Sequence, residues 1–280
     1  RAGSSVIAAE AFTPQSCWVP RGWAHILRES NSLAPTTRSW AALIILALAL
    51  CCACPVTGGP PDYAEERAAM VKHLRELGIN SEPVLTAMRD VPRHLFVSVS
   101  DPGGAYQDID LPAGTGQSCC RPYVTALTAQ ALDLEPGRKV LQVGAKCGYY
   151  TAILCKLTPD VHVIDNRPEV ADPARSRLRE MGYSSIAWKT GDACKGWPEH
   201  GPYDAIVVTC ATQQVPEELV RQLAEGGRMV IPVGSGPAQT LLCVRKMRRK
   251  PPLEGIMLRS ETMTSIRVRA DPMTCQRGPS

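Results

Sequence analysis

The sequence predicts an α/β protein with a doubly wound, mostly parallel sheet that carries helices on both faces. From residue 139 onward, short apolar runs alternate with segments of helical length. A glycine-rich turn directly follows the first of these runs. The chain has 280 residues, of which 44% are hydrophobic and 21% charged. This size and composition suit one globular domain with additional residues at its ends.

The apolar runs define the predicted sheet. Strands that alternate with helices form βαβ units, whose parallel strands are buried on both faces. The predicted strands are 139–143, 161–165, 186–190, 205–209 and 228–233, followed by two strand-like runs at 240–244 and 263–268. Helices between them are predicted to begin at Gly148, Pro168 and Pro216.

Three more helices are predicted ahead of the sheet. The run 62–65 resembles a capping box, and apolar residues recur after it at helical spacing until Gly78. A second helix is expected from Ser81. The third helix follows Pro122 and ends at the turn 135–137, which contains proline and glycine.

Residues 1–59 differ in composition from the rest and are predicted to form a leader before a domain at 60–275, with a short tail at 276–280. The leader contains one apolar run, 40–53, that is short for a helix spanning a bilayer. Arginines before this run and small residues at its end resemble a secretory signal. A spurious leader is the alternative, because the first methionine is Met70.

Charge and cysteine spacing argue against two classes of partner. The net charge of +4 is too small to favour nucleic acid as the main partner. The basic run 245–250 is interpreted as a solvated strand end or turn. The 12 cysteines form no repeated CxxC pair, and no histidine stands at zinc-ligand spacing from them. We therefore expect incidental thiols and no metal site.

Two aspartates and the glycine turn predict a nucleoside site. Ligands of a doubly wound sheet bind beyond the carboxyl ends of the strands, where the strand order reverses. The turn 144–148 follows the first strand, Asp165 ends the second and Asp192 follows the third. Each has an ordinary explanation as a turn or a helix cap. Their order favours an adenosine cofactor, with its ribose hydroxyls on Asp165 and its adenine amino group on Asp192.

Several motifs occur in a fixed order between residues 63 and 273. They include Val91-Pro92-Arg93-His94-Leu95-Phe96-Val97, Ala105-Tyr106-Gln107-Asp108, Leu111-Pro112, Gly116-Gln117, Arg121-Pro122-Tyr123, Gly196-Trp197-Pro198, and the runs 203–209 and 226–234. In this order they resemble the protein-L-isoaspartate O-methyltransferases. Methyltransferases in general share the glycine turn, but not the run 91–97 or the run 106–122.

The resemblance implies a class I methyltransferase with a Rossmann-like fold, which would make the domain 60–275 a methyltransferase domain. Such an enzyme transfers a methyl group from S-adenosyl-L-methionine to the α-carboxyl of isoaspartyl residues in damaged proteins and peptides. The implied cofactor-binding residues are Gln142, Gly144, Ala145, Gly148, Asp165 and Asp192. The implied residues on the acceptor side are Asp108, Ser118 and Cys120. A turn-capping role is the alternative for Asp108.

The chain departs from the family pattern on both sides of the implied site. Cys120 replaces a serine that helps to hold the acceptor carboxylate, and a thiol is a weaker hydrogen-bond donor. Lys146 replaces the middle glycine of the cofactor turn, where side chains resist the backbone conformation. Gln142 replaces a glutamate that would favour the cationic cofactor. We expect weakened binding of S-adenosylmethionine.

These departures keep two other functions open. One is a catalytically weak or inactive protein that uses the methyltransferase fold for binding. The other is a redox or metal cluster of Cys119, Cys120 and Cys147, which is disfavoured because adjacent cysteines form a poor tetrahedral pair. The cytoplasm is the expected location, since the cofactor is supplied there. Export or membrane anchoring through residues 40–54 is the alternative, and membrane contact is expected only through this N-terminal segment.

Overall fold

A computed structural model describes residues 62–114, 116–235, 239–247 and 258–266. The predicted leader, its apolar run and the tail lie outside these ranges. Among the residues that the structure describes, no helix is long and apolar enough to cross a membrane.

The helices begin close to the predicted positions. They are α1 (Ala64–Glu76), α2 (Glu82–Asp90), α3 (Pro122–Leu132), α4 (Tyr149–Leu157), α5 (Pro168–Glu180) and α6 (Glu217–Gln222). Proline in the first turn of α2, α3 and α5 suits these starts, because the N–H donor that proline lacks would have no acceptor within the helix there.

The predicted capping box at 62–65 is wrong. The residue before α1 is Tyr63, which has a left-handed backbone conformation with φ +50° and makes no side-chain capping bond. A capping box needs an extended N-cap residue whose side-chain oxygen accepts the bond. The Tyr63 ring instead packs against the His94 ring, with 4.8 Å between the ring centroids.

The strands form one large sheet and one small hairpin. The hairpin consists of β1 (Leu111–Pro112) and β2 (Ser118–Cys119). The large sheet consists of β3 (Val140–Val143), β4 (Val161–Asp165), β5 (Ala187–Thr190), β6 (Tyr203–Val208), β7 (Leu223–Val233), β8 (Gln239–Lys246) and β9 (Leu258–Ile266). Its order is β5-β4-β3-β6-β7-β8-β9, parallel as far as β7 and antiparallel in β8 and β9. The predicted doubly wound fold is thereby confirmed.

Strand β7 begins five residues earlier than predicted. The glycine pair at 226–227 suggests a break in the sequence, but pairing with β6 already starts at Tyr203 and Leu223. The register then shifts before Ala205 pairs with Arg228. Such an irregularity accommodates glycines within a strand.

The two faces of the sheet pack against different helices. Successive residues of a strand point to opposite faces. On one face, Val140, Val163, Val207 and Val230 pack with Leu132, Leu154 and Ala171 from α3, α4 and α5. On the other face, Leu141, Ile164, Ile206 and Met229 pack with Leu219 and Val220 from α6.

Strand β3 lies where the strand order reverses, because its neighbours are β4 on one side and β6 on the other. The crevice beyond the carboxyl end of such a strand is the usual ligand position in this class of sheet. The fold therefore brings the end of β3 and the ends of β4 to β6 to one edge, where the predicted nucleoside site lies.

Candidate active site

The glycine turn between β3 and α4 requires glycine at both ends. Gly144 and Gly148 have φ values of +94° and +87°, which residues with a side chain rarely adopt. A Cβ atom at Gly148 would also lie 3.3 Å from a methyl carbon of Leu178. Between the two glycines, the Ala145 amide donates a 2.7 Å hydrogen bond to the Asp165 carboxylate. This bond joins the turn to the end of β4.

Asp165 is fully buried at the end of β4. One carboxylate oxygen accepts from Ala145, and the other accepts a 2.9 Å bond from the Arg167 amide. The Arg167 guanidinium also approaches this second oxygen at 3.9 Å. Contact between Asp165 and a ribose stays a prediction. It requires the surrounding groups of Ala145 and Arg167 to move, because the carboxylate is fully buried.

Asp192 lies beyond the end of β5, with an exposed side chain. One of its oxygens accepts a 2.9 Å bond from the Cys194 amide, so it also stabilises its own turn. The Gly191 amide donates to the Asp165 carbonyl at 3.0 Å, which keeps the ends of β4 and β5 together. Contact between Asp192 and an adenine group likewise stays a prediction.

Gln142 supports the turn from inside the protein. Its side chain is fully buried, and its amide nitrogen donates to the Gly144 carbonyl at 2.7 Å. Its side-chain oxygen accepts a 2.8 Å bond from the Thr151 hydroxyl on α4. The amide group thus connects the strand, the turn and the helix. Direct contact with a cofactor stays a prediction.

Arg93 anchors the acceptor segment, residues 105–114 and 116–120, which contains the predicted acceptor-side residues. Its side chain is fully buried and donates to the backbone carbonyl groups of Ala105, Ile109, Cys119 and Cys120. Sequence reasoning noted Arg93 only as part of a motif and assigned it no role. The sequence feature that could have predicted this role is a charged residue within a largely apolar run. Such a residue is expected to be buried and to need hydrogen-bond acceptors for its charge.

Asp108 caps the N-terminus of α3. One carboxylate oxygen accepts a 2.7 Å bond from the Tyr123 amide, and the neighbouring Asp110 accepts a 2.8 Å bond from the Arg121 amide. Carboxylates favour this end of a helix because its first amide groups have no partner within the helix. Contact between Asp108 and an acceptor stays a prediction, while its role in holding α3 against the segment is evident.

The acceptor segment and the glycine turn border the same cavity. Its polar walls include Cys120 from the segment, Lys146 from the turn, Tyr150 from α4 and Thr209 after β6. Apolar residues of α3 and the sheet, including Val124, Val207 and Leu241, line the rest. The volume, counted with the open mouth, is about 570 Å³. The turn and the segment therefore meet at this cavity through Lys146 and Cys120. The other predicted site residues are not among those that line it, namely Asp108, Ser118, Gln142, Gly144, Ala145, Gly148, Asp165 and Asp192.

Comparison with known proteins identifies the family. The family model for protein-L-isoaspartate(D-aspartate) O-methyltransferase matches residues 65–255. A protein-L-isoaspartate O-methyltransferase of Roseiflexus sp. (strain RS-1) is 42% identical over 206 residues, which cover 74% of this chain and 91% of the relative. The chain belongs to this family.

Other members and solved structures agree with the assignment. The protein-L-isoaspartate O-methyltransferase of Methylorubrum extorquens (strain PA1) is 44% identical over 190 residues, covering 68% of this chain and 83% of the relative. A solved protein-L-isoaspartate O-methyltransferase matches with a TM-score of 0.60 at 24% identity, over 70% of this chain and 63% of that structure. A Plasmodium falciparum protein assigned to the same activity, solved with S-adenosyl-L-homocysteine, has a TM-score of 0.57 at 20% identity, over 69% of this chain and 93% of that one. These two structures show the fold.

Lys146 has a left-handed backbone conformation in the middle of the turn. Its φ is +46°, in the left-handed region that disfavours residues with a side chain. Tyr63 and Asp133 are the other non-glycine residues with positive φ in the described ranges. The lysine therefore introduces backbone strain as well as a cation into the turn.

Cys120, at the family's serine position, is a neutral thiol. Burial raises its pKa above the ordinary value, and the nearby Lys146 ammonium lowers it again in part. A neutral thiol donates only weakly. Weaker holding of an acceptor at this position than by serine stays a prediction.

The two other cysteines of the proposed cluster form a pair of free thiols. Cys119 and Cys147 hydrogen-bond to each other, which raises the pKa of Cys119 and lowers that of Cys147. Across the part of the chain that the structure describes, no three His, Cys, Asp or Glu residues are arranged to hold a metal ion. This arrangement gives no support to a metal centre.

We predict that Arg93→Met will lower the free energy of unfolding by about 3 kcal/mol or more, because several buried carbonyl groups lose their donor. Urea denaturation measures this change. Arg89→Met is the matched control, since Arg89 is exposed and pairs only with its neighbour Asp90 in the described structure, and we expect a change within about 0.5 kcal/mol. Equal stability of the two variants would contradict the role of Arg93.

Proposed function

We propose that this protein transfers a methyl group from S-adenosyl-L-methionine to the α-carboxyl of L-isoaspartyl residues in damaged proteins and peptides. The observation that carries the proposal is the shared cavity, with Cys120 of the acceptor segment and Lys146 of the cofactor turn in its walls. Membership of the family supports the same reaction.

The residues at the strand ends fit an adenosine cofactor. Two carboxylates, Asp165 and Asp192, stand at adjacent strands, and carboxylate oxygens accept hydrogen bonds from hydroxyl and amino groups. Gly144 and Gly148 provide the close backbone approach that the turn needs. Tyr150, whose buried hydroxyl has no partner in the described structure, also lines the cavity. When bound, the cofactor supplies a methyl group that is already activated on a sulfonium.

The reaction demands orientation more than acid–base chemistry from this chain. An α-carboxyl has an ordinary pKa of about 3.5, so it is ionised at neutral pH and needs no strong base. The chain holds the acceptor segment through Arg93, and apolar residues of α3 and the sheet line much of the cavity. Fixed orientation and exclusion of water are the effects that accelerate such a transfer. We place Asp108, Ser118 and Cys120 on the acceptor side.

A non-catalytic binding protein is the second candidate function. The observation that favours it is Lys146, whose strained backbone and positive charge lie in the turn that would approach a cationic cofactor. In that case the fold and the cavity would persist for binding, while the methyl transfer would be lost.

We further propose the cytoplasm as the location and isoaspartyl proteins and peptides as the partners. The proposed chemistry depends on S-adenosylmethionine, which is supplied in the cytosol. The proposed methyltransferase domain spans residues 60–275. Residues 40–54, outside the described residues, would provide any membrane contact.

We predict transfer of labelled methyl groups from S-adenosylmethionine to a synthetic peptide that contains one isoaspartyl residue. The same peptide with an ordinary aspartate is the control, and we expect it to remain unlabelled because its α-carboxyl is tied up in the peptide bond. Absence of label in the isoaspartyl peptide at saturating cofactor would refute the enzymatic proposal and leave the binding protein.

We predict that Lys146→Gly will tighten S-adenosylmethionine binding about tenfold, or about 1.4 kcal/mol. The reason is that the ammonium no longer opposes the sulfonium and no side chain crowds the turn. Titration calorimetry measures the dissociation constant. Asp133→Gly is the control, because Asp133 also has positive φ but lies at the end of α3, outside the cavity lining. Unchanged or weaker binding in Lys146→Gly would show that the lysine is harmless.

A further inference from the structure

The Tyr150 hydroxyl is buried without a hydrogen-bond partner in the described structure. Tyr150 is the second residue of α4, directly after the glycine turn. Buried polar groups in folded proteins are nearly always paired, and an unpaired one calls for an explanation such as a ligand. A phenylalanine would fill this position without the cost of an unpaired hydroxyl.

The Tyr150 side chain belongs to the wall of the cavity. Tyr150 lines the cavity together with Cys120 and Lys146. Burial raises the pKa of the Tyr150 hydroxyl well above its ordinary value, and the neighbouring Cys120 thiol contributes to the rise. The hydroxyl therefore keeps its proton at neutral pH and is available as a donor.

The charge of the cavity favours an anionic ligand. Lys146 contributes a positive charge to walls that are otherwise mostly apolar. A carboxylate accepts hydrogen bonds only, so it matches one hydroxyl donor and one cation. The α-carboxylate of an isoaspartyl residue has this chemistry.

Tyr150 lines the same cavity as Cys120, the residue at which the chain has a thiol in place of the family's hydroxyl. Cys120 stands at the position of the family's serine, and its neutral thiol is a weak donor. We propose that the Tyr150 hydroxyl donates a hydrogen bond to the acceptor carboxylate and replaces the hydroxyl that is missing at Cys120. This inference deepens the proposed function and rests on it.

The first test measures peptide binding in the full chain saturated with S-adenosyl-L-homocysteine. For Tyr150→Phe we expect the dissociation constant of the isoaspartyl peptide to rise about tenfold, which is typical of losing one hydrogen bond to a charged group. We expect unchanged affinity for S-adenosyl-L-homocysteine and an unfolding temperature that does not fall, because the variant removes an unpaired buried group. Tyr183→Phe is the matched control, as Tyr183 is partly buried and lies outside the cavity lining.

The second test is rescue by the family's own residue. Cys120→Ser in the Tyr150→Phe background should restore peptide affinity to within about threefold of the unmodified protein. A general packing defect from phenylalanine would not respond to a hydroxyl at residue 120. The pair of variants therefore separates substrate contact from a structural effect.

The outcomes separate this inference from the proposed function. Peptide binding that is unchanged in Tyr150→Phe, or not restored by Cys120→Ser, overturns the role of Tyr150 even if the protein is an active methyltransferase. No peptide binding by the unmodified protein overturns it as well. Binding that depends on Tyr150 without any methyl transfer supports the inference and refutes the enzymatic function.

Discussion

The buried Arg93 guanidinium is the constraint on which the acceptor side of this protein depends. A charge that is fully removed from water must be surrounded by hydrogen-bond acceptors. Here the acceptors are backbone carbonyl groups near both ends of the acceptor segment, so one side chain holds these two ends together. Asp108 and Asp110 then attach the same segment to the start of α3. The acceptor residues are thus positioned by backbone anchoring.

The cofactor side is built on a different principle. Asp165 ends β4 and uses its carboxylate to hold the Ala145 and Arg167 amide groups. The same carboxylate is the one proposed to bind ribose, so the same two oxygens would accept both the internal bonds and the ligand bonds. A carboxylate oxygen has two lone pairs and is able to accept twice, which allows both roles once the covering groups move.

Two of the departures from the family pattern, at residues 120 and 146, meet at one cavity. Lys146 adds a cation and a strained backbone to the turn, while Cys120 removes a hydroxyl from the acceptor segment. Tyr150 places a buried hydroxyl in the same wall. The three residues alter one small volume together. Their effects on binding are therefore expected to be coupled and should be measured in combined variants.

The sequence by itself determined the fold class, the succession of strands and helices along the chain, and the family. These follow from the sequence because strand and helix periodicities are local and the motifs are contiguous. It also located the glycine turn, Asp165 and Asp192 at strand ends. It misjudged the capping of α1, whose N-cap residue Tyr63 makes no side-chain capping bond. Only the tertiary structure showed that Arg93 anchors the acceptor segment and that Tyr150 lies unpaired beside Cys120. Burial and hydrogen-bond partners depend on residues far apart in the chain, and no local pattern records them.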